Sequence, residues 1–74
     1  MIITVKLFAS YRVGRFKERD MEFPAGTPAQ QIIETLAIPH SASSIVLVNG
    51  NRVALNHPLQ DGDTLTLLPL IAGG

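Results

Sequence analysis

Apolar and polar residues alternate over 2–9, with Ile3, Val5 and Leu7 on one side of the chain and Thr4 and Lys6 on the other. A period of two is that of a β-strand with one buried face. Residues 10–17 break the pattern and read as a polar, basic loop. Alternation returns over 18–23, where Met21 and Phe23 face the same way, so this segment suits a second strand paired with the first. Pro24-Ala25-Gly26 ends it, and the period then changes. Ala29, Ile32, Ile33 and Leu36 fall at i, i+3, i+4 and i+7, the apolar stripe of a short helix. Thr27-Pro28-Ala29-Gln30 in front of it predicts a threonine N-cap, proline at the first helical position and a glutamine closing a capping box. Pro39 predicts the end of the helix by about Ala37, with a loop over 40–44. Residues 45–48 form an apolar run suited to a central strand. Asn49-Gly50 predicts a tight turn, since both residues tolerate positive φ, with a short return strand over 52–55. After an irregular stretch over 56–60, Asp61-Gly62-Asp63 predicts a second turn and 64–68 a final strand. Pro69 has no amide N–H, so regular pairing should weaken there.

The order is therefore β-β-α-β-β-β. One short helix cannot bury its stripe alone, and the economical solution lays it across one face of a mixed sheet of four to five strands. The first and last strands both read as largely buried, which places them side by side at the centre. The segments between them form a crossover, so that pair is parallel. This is the α+β architecture of the β-grasp, or ubiquitin-like, fold, assigned to residues 1–69, with 70–74 left as a flexible tail.

Seventy-four residues make one small domain, near the size where a single core only just suffices. The chain contains no cysteine, which removes any disulfide, thiol nucleophile or thiolate metal site and fits a reducing compartment. Six acidic and six basic residues cancel, which argues against general attraction to nucleic acid. The N-terminal residues carry no charged leader, and no apolar run approaches the length of about 18 residues that a membrane span needs. The expectation is a cytoplasmic protein without a membrane segment. Apolar residues make up 46% of the chain and charged residues 16%, against about 25% charged in a typical domain. A body this small cannot hide so much apolar surface, which predicts an exposed patch for a partner.

The candidate chemistry lies at the end. Gly73 and Gly74 close the chain, a pair expected there by chance about 0.5% of the time. Lacking side chains, they can thread a narrow active site of a partner and leave only a carboxylate for reaction. If Leu65 and Leu67 face the core, then Thr66 and Leu68 face outward. Phe8 alternates to the same side, giving a patch of Phe8, Leu68, Leu70 and Ile71 with the apolar centre of an interface; the other reading tucks Phe8 under the 10–17 loop. Arg12, Arg15, Lys17 and Arg19 gather four of the six basic charges, either to steer towards an acidic partner or simply as a solvated loop. His40 and His57 sit beside prolines and read as surface residues, and Asp61 and Asp63 as turn formers. The six glycines form no phosphate-binding loop.

Leu7-Phe8-Ala9 followed by Arg12, the Val48-Asn49-Gly50 turn, Pro58-Leu59 ahead of Asp61-Gly62-Asp63, and the ending Leu68-Pro69-Leu70-Ile71-Ala72-Gly73-Gly74 occur in order over nearly the whole chain. Together they resemble the MoaD/ThiS family of ubiquitin-like sulfur carrier proteins. The opening motif and the proline before the tail are closer to MoaD, the small subunit of molybdopterin synthase. Leu70 stands where MoaD tails usually carry a second proline, Val13 where an acidic residue often follows the arginine, and the Ile-Ala-Gly-Gly ending also occurs in ThiS-like tails. The resemblance implies that a MoeB/ThiF-like adenylyltransferase activates Gly74 with ATP and Mg, and that a sulfur donor protein converts it to a thiocarboxylate. The sulfur would then pass to a substrate on the large subunit of molybdopterin synthase, or on thiazole synthase in the thiamine branch. It further implies a carrier rather than an enzyme, with no cofactor of its own. Gly73 would thread the channel, and Phe8, Arg12, Leu68, Pro69, Leu70, Ile71 and Ala72 would meet the partners. Two readings of another class remain: a protein modifier that joins Gly74 to lysines, and a β-grasp interaction domain without covalent chemistry.

Overall fold

The computed structural model describes residues 1–38 and 44–69. Within them the chain runs through β1 (Ile2–Leu7), a 3-10 turn (Ala9–Arg12), β2 (Glu18–Glu22), α1 (Ala29–Thr35), β3 (Ser44–Val48), β4 (Asn51–Arg52) and β5 (Thr64–Pro69). The strands form one mixed sheet in the order β2-β1-β5-β3-β4. β1 and β5 are parallel neighbours, with Val5 opposite Leu65 and Leu7 opposite Leu67, and every other pairing is antiparallel. This is the expected β-grasp arrangement.

Alternation along the strands decides which face is covered. Ile3, Val5, Leu7, Leu65, Leu67, Val46 and Val48 are buried on one face and share a core with Ala29, Ile32 and Ile33 of α1. Each such Leu or Ile removed from water contributes about 1.5–3 kcal/mol, so this face carries most of the stability of a small body. Tyr11, Ile38 and Leu59 close the core at its margins. Tyr11 lies in the segment that composition marks as a polar loop, and burial of its ring is what the alternation pattern missed.

The helix starts differently from the capping box that Thr27-Pro28-Ala29-Gln30 predicts. Pro28 is the N-cap, and its side chain makes no capping bond. The Thr27 hydroxyl instead donates to Pro24 O at 2.7 Å, holding the preceding turn. The first helical amides are satisfied from across the fold: Ala29 N–H donates to His57 O at 3.1 Å and Gln30 N–H to Leu55 O at 2.8 Å. The irregular 55–59 segment is therefore the cap, laced on further by Leu59 N–H to Thr27 O at 3.1 Å. This satisfies the orphan donors of a helix start as well as a hydroxyl would.

At the other end, Leu36 is the C-cap and Ala37 takes a left-handed φ of 55°. Ala37 N–H donates to Glu34 O and Ile38 N–H to Ile33 O, the two bonds of a Schellman ending, with buried Ile33 and Ile38 as its apolar pair. Glycine usually occupies the Ala37 position. Pro39, expected to end the helix, and the 40–43 part of the expected loop lie outside the described residues.

Asn49 and Gly50 both take positive φ, 51° and 85°, as the tight turn requires. The return strand is shorter than the expected 52–55, because pairing ends at Arg52 opposite Leu47. Beyond it, Val53 N–H still donates to Val46 O at 3.1 Å, and Val53 and Leu55 pack against the core.

Candidate functional site

β1 and β5 are parallel and in register, so Leu7 at the end of β1 lies opposite Leu67, two residues before the end of β5. Phe8 N–H donates to Leu67 O at 3.2 Å, which carries the alignment one residue past β1. Phe8 and Leu68 therefore stand side by side on the face away from α1, and Ile45 of β3 pairs with Leu68 on its other side. Phe8 is 38% exposed, with Arg12 of the following loop over its ring, and Leu68 and Pro69 are half-buried. Pro69 is the last residue of β5, and its pairing runs only to β3, since alignment with β1 ends at Leu67. Leu70, Ile71, Ala72, Gly73 and Gly74, and with them the chemistry expected of the tail and its share of the patch, lie outside the described residues.

The basic cluster divides into different jobs. From the 3-10 turn, Arg12 reaches back so that its Nε donates to Leu7 O at 2.7 Å, and its guanidinium carbon lies 5.0 Å from the centroid of the Phe8 ring. That contact is a cation–π geometry and fixes Arg12 beside Phe8. Arg15 is a structural residue rather than a steering charge. Its Nε donates to Leu36 O at 3.0 Å and its Nη2 to Ala37 O at 2.8 Å, capping α1, while Nη1 donates to Tyr11 O at 3.3 Å. A cation at a helix C-terminus is favoured by the helix dipole as well as by the bonds. Arg19 lies over Phe16 at 4.5 Å. Lys17 is exposed.

Lys6, Phe8, Arg12, Lys17 and Glu18 line a hollow of about 280 Å³ beside the end of β5. Lys6 and Glu18 are directly opposite on β1 and β2, with Nζ and Oε1 3.9 Å apart. At that exposure the pair is worth at most about 1 kcal/mol, so it is a local charge arrangement more than a stabilising contact. Lys6 and Glu18 were not legible as site residues, because their meeting depends on strand register. A second hollow, about 370 Å³, lies near the start of β5 between the Asn49-Gly50 turn and the 57–63 segment.

The acidic turn is structural, as the intervening glycine suggests. Asp61 Oδ1 accepts Ile2 N–H at 2.6 Å, and Asp63 accepts from Asn49 Nδ2 and Gln60 N–H at 2.9 Å each. Asn49 Oδ1 in turn accepts Thr64 N–H at 2.9 Å. The His57 carbonyl caps α1, and no group of three His, Asp or Glu suited to a metal occurs among the described residues. The residues around the 280 Å³ hollow can attract and hold an anion, and Phe8 can be covered by an apolar neighbour. They include no nucleophile paired with a base.

The ThiS family model matches residues 5–74. Among solved structures, SAMP1 from Haloferax volcanii is similar at 22% identity with a TM-score of 0.80, covering 100% of both chains. A putative molybdopterin converting factor subunit 1 from Pyrococcus furiosus is 26% identical, with a TM-score of 0.78, 96% of this chain and 99% of that one covered. Subunit 1 in a complex with subunit 2 of the molybdopterin-converting factor from Helicobacter pylori is 22% identical with a TM-score of 0.68, again covering 100% of both chains.

Proposed function

We propose, on the premise that this chain belongs to the ThiS family of ubiquitin-like sulfur carriers, that it delivers sulfur from a thiocarboxylate on Gly74 to the precursor of molybdopterin. The observation that carries this reading is a family match that runs through the body and the diglycine alike, from residue 5 to residue 74. The molybdopterin branch is favoured by likeness to the Pyrococcus furiosus protein at 26% identity over nearly the full length of both chains, and by the Leu7-Phe8-Ala9 opening.

The chemistry follows from what a carboxylate lacks. It is resonance-stabilised and a poor acyl donor, so Gly74 needs a leaving group. Its oxygen attacks the α-phosphorus of ATP, pyrophosphate departs, and an acyl-adenylate results. A hydrosulfide equivalent then attacks the acyl carbon and AMP leaves, exchanging C–O for C–S. The glycines make no phosphate-binding loop, so a partner adenylyltransferase brings ATP and Mg. The softer sulfur is the better nucleophile in the transfer that follows, on a second partner. Residues 70–74 extend at most about 16–18 Å, enough to carry Gly74 from the end of β5 into a neighbouring protein, with Gly73 passing the narrowest point on backbone alone.

Intact mass of the protein purified from its native host tests this directly. The expected species is heavier by the difference between a sulfur and an oxygen atom, and it disappears when Gly74 is deleted. Lysine-linked adducts in its place would make the chain a protein modifier. Loss of the molybdenum cofactor, with thiamine synthesis intact, on deleting the gene distinguishes the two carrier branches.

A further inference from the structure

We propose that the hollow formed by Lys6, Phe8, Arg12 and Lys17 is a receptor for a carboxylate side chain, Asp or Glu, on the protein that receives the tail. Charge is the first argument. The chain is neutral overall, yet half of its six cations meet a single carboxylate, Glu18, around one concavity. The local excess is positive, and it lies next to the strand end from which residue 70 continues.

Geometry is the second argument. The bond from Arg12 Nε to Leu7 O and the Phe8 ring beneath the guanidinium hold that group in place. Neither Nη nitrogen of Arg12 makes a hydrogen bond among the described residues. Two N–H groups of a fixed, planar fork match the two oxygens of a carboxylate. Phe8, exposed on the adjoining face, supplies an apolar contact for whatever residue flanks that carboxylate.

A phosphate fits this wall less well. Sites for phosphate usually present a cradle of backbone N–H groups, and here those donors are used: Leu7 N–H donates to Lys17 O and Phe8 N–H to Leu67 O. Glu18 also repels a dianion more strongly than a monoanion. The proposal rests on the carrier reading only for the identity of the partner.

An amide-resolved NMR titration of the whole chain with a capped peptide containing Leu-Glu, its Leu-Gln counterpart, and inorganic phosphate tests it. The expected result is a saturable set of shifts at residues 6–12 and 17 with the glutamate peptide, and binding about tenfold weaker with the glutamine peptide, as for loss of a charged hydrogen-bond partner. Arg12→Lys keeps the charge but removes the fork and should weaken the glutamate peptide several-fold. Lys17→Gln, whose side chain makes no hydrogen bond among the described residues, should weaken it without disturbing the rest of the spectrum. Equal binding of the two peptides, shifts confined to another surface, tighter binding of phosphate, or indifference to both substitutions overturns the proposal. A chain that binds the peptide but never carries sulfur would refute the carrier reading alone.

Discussion

Arg15 shows how much one side chain can hold. It spans the 10–17 loop and the end of α1, which are more than twenty positions apart in the chain, through bonds to Leu36 O, Ala37 O and Tyr11 O. Replacing it with Met keeps the aliphatic stem but strands several carbonyls. We expect a loss of about 2 kcal/mol, seen as a fall of about 10 °C in thermal midpoint for a domain this size. Nothing local in the sequence marks this role, since Arg12, Arg15 and Lys17 read alike as loop cations and only the third dimension separates them. Ala37 carries the opposite lesson. Its left-handed φ costs an L-residue about 1–2 kcal/mol, while glycine there costs about 0.4–1 kcal/mol through the unfolded chain. Ala37→Gly should therefore add about 0.5–1 kcal/mol of stability, seen as a higher urea midpoint with an unchanged slope. Phe8 and Leu68, in contrast, were legible, because strand alternation alone assigns their face.

At the scale of elements, the strands and the helical stripe were readable wherever periodicity carried them. Elements stabilised from a distance were not. Thr27-Pro28-Ala29-Gln30 has the composition of a capping box, but the amides it would satisfy already donate to His57 O and Leu55 O. The two readings separate experimentally. Thr27→Val should leave hydrogen-exchange protection of the Gln30 amide unchanged while loosening the Pro24–Thr27 turn, whose hydroxyl bond it removes. Faster exchange at Gln30 would restore the capping box. The Asn49-Gly50 turn was legible because its conformation is demanded by two residues in sequence. Its second task, clasping Asp63 and Thr64, was not, because that depends on where β5 begins.

For the whole molecule, the decisive feature is that the first and last strands adjoin, which buried character at both ends of the chain predicted and which brings Phe8, Arg12 and the exit of the tail to one place. The carrier reading then predicts that Gly73→Trp leaves thermal stability unchanged, since the residue lies past β5, yet abolishes sulfur transfer by blocking the channel; normal delivery of sulfur by that variant would refute the threading role. The parallel pairing has a mechanical consequence too. Force applied at residue 1 and at the far end of β5 runs along both strands in opposite directions, so the ladder of β1 on β5 must break in shear, all bonds at once. Single-molecule stretching between those points should meet high resistance. Tethers at residues 1 and 22, which lie at one end of the antiparallel pair, would instead let β2 peel from β1 bond by bond at low force. A cellular unfoldase that grips this protein by its diglycine end therefore pulls on the strand hardest to extract.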